Sequence, residues 1–378
     1  MAKRRMVDLK DDRNRIEHEN RRWRAVLAGV VVALGVGGLA SQARALPLCD
    51  ATSGIIGCCK IMSSGVYHLN GDLNVNISSG DCISVQAASV VLIANDHNLA
   101  NSHATPAGVG IHVHSGASHF SMDAGSTFSG TDGEVNGFLI GIQNDASNVL
   151  IADVDCESNG TGIVNNGARA SYFFLNANSS SGNGFVNNGA AGLKMTSIAA
   201  DGNGGNGLVL INTSGALFAD FSEARGNGRT GVKVIGGGGN TMVTIDASAN
   251  GADGIWFKQS VANAVIDFTA NGNGKTGIYI GCSATGNPDG STCGISPSRG
   301  NSLQAGVGFH AVPPTTTADT NTVAGIGIDS GNGGNQVFGI EASGNGTDDA
   351  IDKNANCGTN FWTMNRFSKP NPACTSAQ

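Results

Sequence analysis

The chain has 378 residues, 57 of them glycine, with 13% charged and 5% aromatic residues and a formal net charge of −7. The first 45 residues hold ten of the 22 Lys/Arg and five of the 29 Asp/Glu, which leaves 12 basic and 24 acidic groups in residues 46–378. So acidic a balance argues against nucleic acid or an anionic membrane surface as partner.

The first predicted element is a leader. Lys3, Arg4 and Arg5 open a charged stretch that runs to Arg24, and the apolar run Ala25 to Ala40 follows. This is the pattern of a signal peptide, with Ala43-Arg44-Ala45 offering cleavage after Ala45. Arg21-Arg22 matches the pair of a twin-arginine signal, but Arg24 stands where that signal carries a large apolar residue, so the export route stays open. An uncleaved anchor is the alternative, and sixteen apolar residues fall short of the roughly 20 that a span requires. The expectation is export to the periplasm, the cell surface or the medium, with no membrane span after cleavage.

All nine cysteines follow the leader. Export permits disulfides, and proximity groups Cys49, Cys58, Cys59 and Cys82, then Cys282 with Cys293, then Cys357 with Cys374, leaving Cys156 over. The C-x-x-C spacing of zinc sites does not occur. Residues 46–84 read as a Cys-rich cap.

Residues 85–346 read as repeats. Glycine followed by a large residue recurs at Gly141-Ile142, Gly162-Ile163, Gly184-Phe185, Gly207-Leu208, Gly231-Val232, Gly254-Ile255 and Gly277-Ile278, in steps of 21 to 24 residues. A second apolar segment follows each, such as Tyr172 to Leu175 or Ala264 to Phe268, and the unit closes on an Asn/Gly turn. Such a unit cannot bury its own apolar face, whereas stacked copies share one core. The predicted class is all-β: a single-stranded parallel β-helix with coils of 22–24 residues. Glycine suits the turns because it reaches positive φ without strain. Asn203, Asn227, Asn250 and Asn273 each stand four residues before a repeat glycine and are expected to stack as a ladder. Residues 347–378 read as the far cap, with Trp362 and Phe367 over the last coil and a Cys357 to Cys374 bridge pinning it.

The turn Asn271-Gly272-Asn273-Gly274 leading to Gly277-Ile278, with weaker copies from about Gly137, resembles right-handed parallel β-helix repeat proteins. That pectate-lyase-like superfamily includes pectate lyases, polygalacturonases, alginate epimerases and exported NosD-type proteins. The resemblance implies the fold and an extended polysaccharide as the class of partner. The Asn-Thr-Asp, His-Gly and Arg-Ile-Lys motifs of polygalacturonases are missing here, as is the Asp-Pro-His-Glu of alginate epimerases.

Three copies of G-x-G-x-x-G, at Gly202, Gly226 and Gly272, fall in register with the repeat and precede no helix, so they are turns and no nucleotide is expected. No cofactor is expected either. The residue after the first apolar position of each coil should point outward. That row is His112, Gln143, Val164, Val186, Val209, Lys233, Trp256, Tyr279 and His310. Lys233, Trp256 and Tyr279 then form a candidate sugar-binding face, unless a segment from Gly281 to Asn301 covers it. His112 and His114, alternating with Ile111 and Val113, are candidate metal ligands.

Enzymes on this fold need converging carboxylates, or a carboxylate with an arginine. Asp153, Asp220, Asp246 and Asp267 are the outward acids, at offsets of 12, 13, 15 and 13 from their repeat glycines; Arg169, Arg225, Arg229 and Arg299 are the central arginines. Three readings stand: a polysaccharide-binding module, a lyase or hydrolase with an unfamiliar site, and a structural rod.

Overall fold

The structure, a computed structural model, describes residues 46–123, 133–219, 222–282, 297–305, 316–371 and 375. The predicted leader, Cys293, His310 and Cys374 lie outside them. The chain is a parallel β-solenoid, the right-handed parallel β-helix expected from its repeats. Among the described residues thirteen strands form one parallel sheet, from Cys59–Ile61 to Pro370–Asn371, and a second sheet has sixteen. Helical structure among them is limited to 3-10 residues, chiefly the turn Ala355–Cys357, and among the described residues no helix is long and apolar enough to cross a membrane.

The apolar residue after each repeat glycine forms one column inside the first sheet. Ile111, Ile142, Ile163, Phe185, Leu208, Val232, Ile255, Ile278 and Ile326 pair in sequence, each almost wholly buried. The second sheet faces it with Ile151, Tyr172, Met195, Phe218, Met242, Val265, Leu303, Val337 and Trp362. Trp362 is the last rung of that column, and Phe367 meets its ring edge-on at 5.9 Å. Stacking starts earlier and runs later than the sequence motif: Cys59–Ile61 lies within 46–84, and Asp348–Asp352 within 347–378.

Five strands of the second sheet each turn a corner at one left-handed residue, Asp153 (φ 52°), Phe174 (48°), Ser197 (54°), Thr244 (54°) and Asp267 (58°). The pairing skips these positions and resumes beyond them.

The asparagine ladder is present. Asn203, Asn227, Asn250 and Asn273 pass their Nδ2 donors forward, each to the next Oδ1 at 3.0–3.1 Å, and the line continues through Asn321 and Asn345. Two further ladders join Asn144, Asn165 and Asn187, and Asn240, Asn263, Asn301, Asn335 and Asn360.

The repeat glycines owe their place to close contact with backbone carbonyls and, at Gly207, Gly231, Gly254 and Gly277, with the ladder asparagine of the next coil, rather than to positive φ. A Cβ on Gly231 would meet Asn250 Nδ2 at 2.6 Å, and one on Gly207 would meet Asn227 Nδ2 at 2.7 Å. The missing side chain of one coil is filled by the asparagine of the next. Gly254→Ala puts its Cβ 2.5 Å from the Gly277 carbonyl oxygen and 2.8 Å from Asn273 Nδ2. It is expected to cost about 3 kcal/mol, against about 0.5 or less for Gly71→Ala, where no atom lies within 4 Å. Denaturant titration of both variants checks this.

Disulfides join Cys49 to Cys59 and Cys58 to Cys82, and Cys156 is free and buried. Cys282 and Cys357 are also disulfide-bonded.

Candidate functional site

The outward row of the first sheet falls into register as its alternation predicts. Ser84 pairs with His112, His112 with Gln143, Gln143 with Val164, then Val186, Val209, Lys233, Trp256 and Tyr279 follow. Gly327, not His310, comes next, because the step after Tyr279 is a coil of double length.

The expected exposed aromatic face is not what forms. Trp256 is 6% exposed and Tyr279 0%. The chain turns across them on leaving the strand Thr276–Ile280: the Trp256 indole N–H donates to the Gly281 carbonyl at 2.8 Å. The Tyr279 hydroxyl donates to the buried carboxylate of Asp329. The covering segment is thus met at Gly281; most of its remainder, 283–296, lies outside the described residues.

Lys233 remains half-exposed, its ammonium 4.1 Å from the centroid of the indole, with Lys258 at 5.6 Å. A cation at that distance from a ring face is held by the ring quadrupole. Burial pushes the Lys233 pKa down, and the positive charges of Lys258, Arg229 and Lys275 add to it. Among the described residues Arg229, Lys233 and Lys258 form no ion pair.

About five coils away the same face carries a second cluster. His112 Nδ1 lies 3.1 Å from Asp81 Oδ2, and His112 Nε2 lies 2.8 Å from Asp145 Oδ2. His114 Nε2 lies 3.2 Å from Asp81 Oδ2 and 2.8 Å from Ser84 Oγ. The imidazole centroids are 3.7 Å apart. Burial disfavours the His112 cation, but hydrogen bonds to Asp81 and Asp145 outweigh it and raise the pKa. His114 goes down, through burial and the His112 charge. Sequence reading found both histidines and missed both aspartates.

A third cluster lies along the second sheet. Arg225 meets Glu223, Asp201 at 3.5 Å and Asp246 at 3.7 Å. Burial, with Asp201 and Asp246 beside it, raises the Glu223 pKa against the pull of Arg225. Of the predicted acids, Asp246 joins this cluster opposite Glu223, Asp153 and Asp267 occupy left-handed corners, and Asp220 lies outside the described residues.

No family model matches the chain, and no curated protein matches it. Among solved structures, the Dettilon tailspike protein (gp208) is similar over 80% of this chain and 60% of its own, at 14% identity and a TM-score of 0.52. A double mutant of the periplasmic alginate epimerase AlgG is similar over 73% of this chain and 75% of its own, at 13% identity and 0.52. The A-module of the Azotobacter vinelandii mannuronan C-5 epimerase AlgE4 is similar over 84% and 89%, at 17% identity, with a TM-score of only 0.43. Likeness at these identities shows the fold alone: the first two have the parallel β-helix that the turn motif resembles.

Proposed function

We propose that the chain is an exported protein that binds an extended anionic polysaccharide along the outward face of its first sheet. The cation cluster around Lys233 carries the reading. Residues 46–378 have only 12 Lys/Arg, yet Arg229, Lys258 and Lys275 all act on Lys233 at this place. Cations without ion-pair partners in an acidic protein, as Arg229, Lys233 and Lys258 are among the described residues, favour a ligand that brings its own negative charge. A polymer laid along the coils presents charge repeatedly to rungs about 4.8 Å apart. Trp256 backs Lys233 from within and is not itself a contact surface. The two N-terminal disulfides suit an oxidising compartment, and the predicted leader supplies the route. The similarity to a tailspike and an alginate epimerase supports only the frame on which such a site is built.

The test measures retention of the purified chain on alginate, on polygalacturonate and on a neutral glucan. The acidic polymers are expected to retain it in a salt-sensitive way, and Lys233→Ala with Lys258→Ala to weaken binding roughly tenfold, or about 1.4 kcal/mol. Retention that this double variant leaves intact would falsify the reading.

A second reading, a lyase or hydrolase, is favoured by Asp201, Glu223 and Asp246 converging on Arg225. Carboxyl groups gathered around one arginine, with the Glu223 pKa raised by burial, are the kind of arrangement from which a general acid and its partner are built. Assaying reducing ends and unsaturated products in the same experiment decides it: product formed by the wild type and abolished in Glu223→Gln establishes the enzyme.

A further inference from the structure

We propose that Asp81, His112 and His114 form a binding site for a divalent transition-metal ion of the zinc type, on the outward face of the first sheet. This inference stands independently of the polysaccharide reading.

The site is built by two neighbouring coils. Asp81 opens the strand Asp81–Val85, His112 lies in the adjacent strand Val109–Val113, and His114 follows directly. His112 Nδ1 and His114 Nε2 both face one atom, Asp81 Oδ2, at 3.1 and 3.2 Å. One donor atom from each residue lies within 4.8 Å of the other two. Zinc takes imidazole nitrogen and carboxylate oxygen at about 2.0–2.2 Å in a tetrahedron, so its ligand atoms stand about 3.4 Å apart. The two nitrogen-to-oxygen separations are close to that edge length, and an ion needs little side-chain movement to enter. Two imidazoles and one carboxylate also suit zinc better than calcium or magnesium, which prefer all-oxygen shells.

A second observation is independent of the three donors. The far nitrogen of His112, Nε2, lies 2.8 Å from Asp145 Oδ2, and Asp145 is held by Gln143 at 3.1 Å and Asn166 at 2.5 Å. With an ion bound, a carboxylate at that position keeps the N–H on Nε2 and frees the Nδ1 lone pair for the metal, in place of the hydrogen bond that Nδ1 makes with Asp81. This is the outer support that orients histidines which bind metals. Three protein donors leave the fourth position for water or a ligand group. His97 and His103 do not take part: they contact Asp72 and the Thr105 carbonyl instead.

Titrating the purified chain, free of any polyhistidine tag, with zinc chloride alone tests the site by calorimetry. One saturable equivalent is expected. His114→Ala and Asp81→Asn should each weaken it at least a hundredfold, Asp145→Asn by about 10- to 100-fold, and His97→Ala not at all. His114 is a third exposed, so its variant is expected to fold, and thermal unfolding without metal verifies this. Absence of saturable binding in the wild type overturns the proposal and leaves His112 as an imidazole bridging two carboxylates. Wild-type affinity in folded His114→Ala and Asp81→Asn overturns it equally.

Discussion

Asn250→Ala is expected to lower the stability of the coil stack by about 4 kcal/mol, a large share of the total for most proteins. The Asn227 backbone N–H and its Nδ2 both donate to Asn250 Oδ1, each at 3.0 Å, and Asn227 is 1% exposed. Alanine leaves both donors buried without a partner, at about 1–3 kcal/mol each. It also empties the space that Gly231 leaves for Asn250 Nδ2, so a packing loss adds to the polar one.

The ladder has a direction, which sharpens the test. Every rung donates toward the C-terminus, and the line ends on an aspartate: the Asn345 N–H and Nδ2 both donate to Asp349 Oδ1, at 3.2 and 2.8 Å. A carboxylate accepts and never donates, so it belongs at the end of such a line. The ladder through Asn335 and Asn360 likewise reaches Asp352 Oδ2, at 2.9 Å. Asn250→Asp keeps the acceptor for Asn227 and lacks only the forward donation, but buries a charge, so it should also destabilise. Hydrogen exchange places the damage: in a solenoid each coil depends on its neighbours, and protection should fall first at Asn227 and Gly231. A loss below about 1 kcal/mol in denaturant titration would show that the ladder is a geometric coincidence.

The ladder and the core are legible in the sequence because both obey the repeat. Gly-Ile steps and Asn positions mark the coil period, and alternation within each short strand gives the side on which a residue lies. What alternation cannot give is what crosses the outward side, and so it assigns Trp256 and Tyr279 to the correct row without revealing that they are covered. The backbone at Gly281 and the carboxylate of Asp329 belong to connections with no repeat. Fixed offsets fail for a related reason. Asp153 and Asp267 lie at offsets of 12 and 13 but share the same left-handed corner, because coils gain or lose single residues elsewhere. Asp81 escapes notice because the early coils step by 28 and 31 residues, Ser84 to His112 to Gln143, so no sequence period points from the histidines to it. The basic cluster is likewise invisible in the net charge, since it is a local departure from an acidic whole.

The Asp253 carboxyl should make the protein less stable as pH rises from about 4 to about 7. Asp253 directly precedes the repeat glycine Gly254, and the corresponding residues before Gly184 and Gly207 are Asn183 and Asn206. There the carboxamide oxygen accepts the backbone N–H of the next coil, Asn206 to Asn183 at 2.9 Å and Thr230 to Asn206 at 3.2 Å. Asp253 Oδ1 does the same for Thr276 at 3.2 Å, but its Oδ2 is buried with no partner. Burial therefore pushes the pKa up to about 7, with the Thr276 N–H, Lys275 and Lys233 offsetting only part of the shift.

A carboxyl whose folded pKa is raised favours the folded state while it is protonated. Its full contribution is present below about pH 4, where the unfolded chain also holds the proton, and is lost as pH climbs through about 7. A shift of about three units corresponds to about 4 kcal/mol between these limits. Asparagine at this position, the residue type that earlier coils use, has no charge to desolvate. The stability difference between Asp253→Asn and wild type, measured by denaturant titration at several pH values from about 4 to 8.5, should therefore move in favour of the variant by about 4 kcal/mol. Because the two chains share every other titrating group, that difference isolates Asp253. A difference that stays constant with pH would mean that Asp253 is ionised in the fold, and that the Lys233 cluster already has its counter-charge from within.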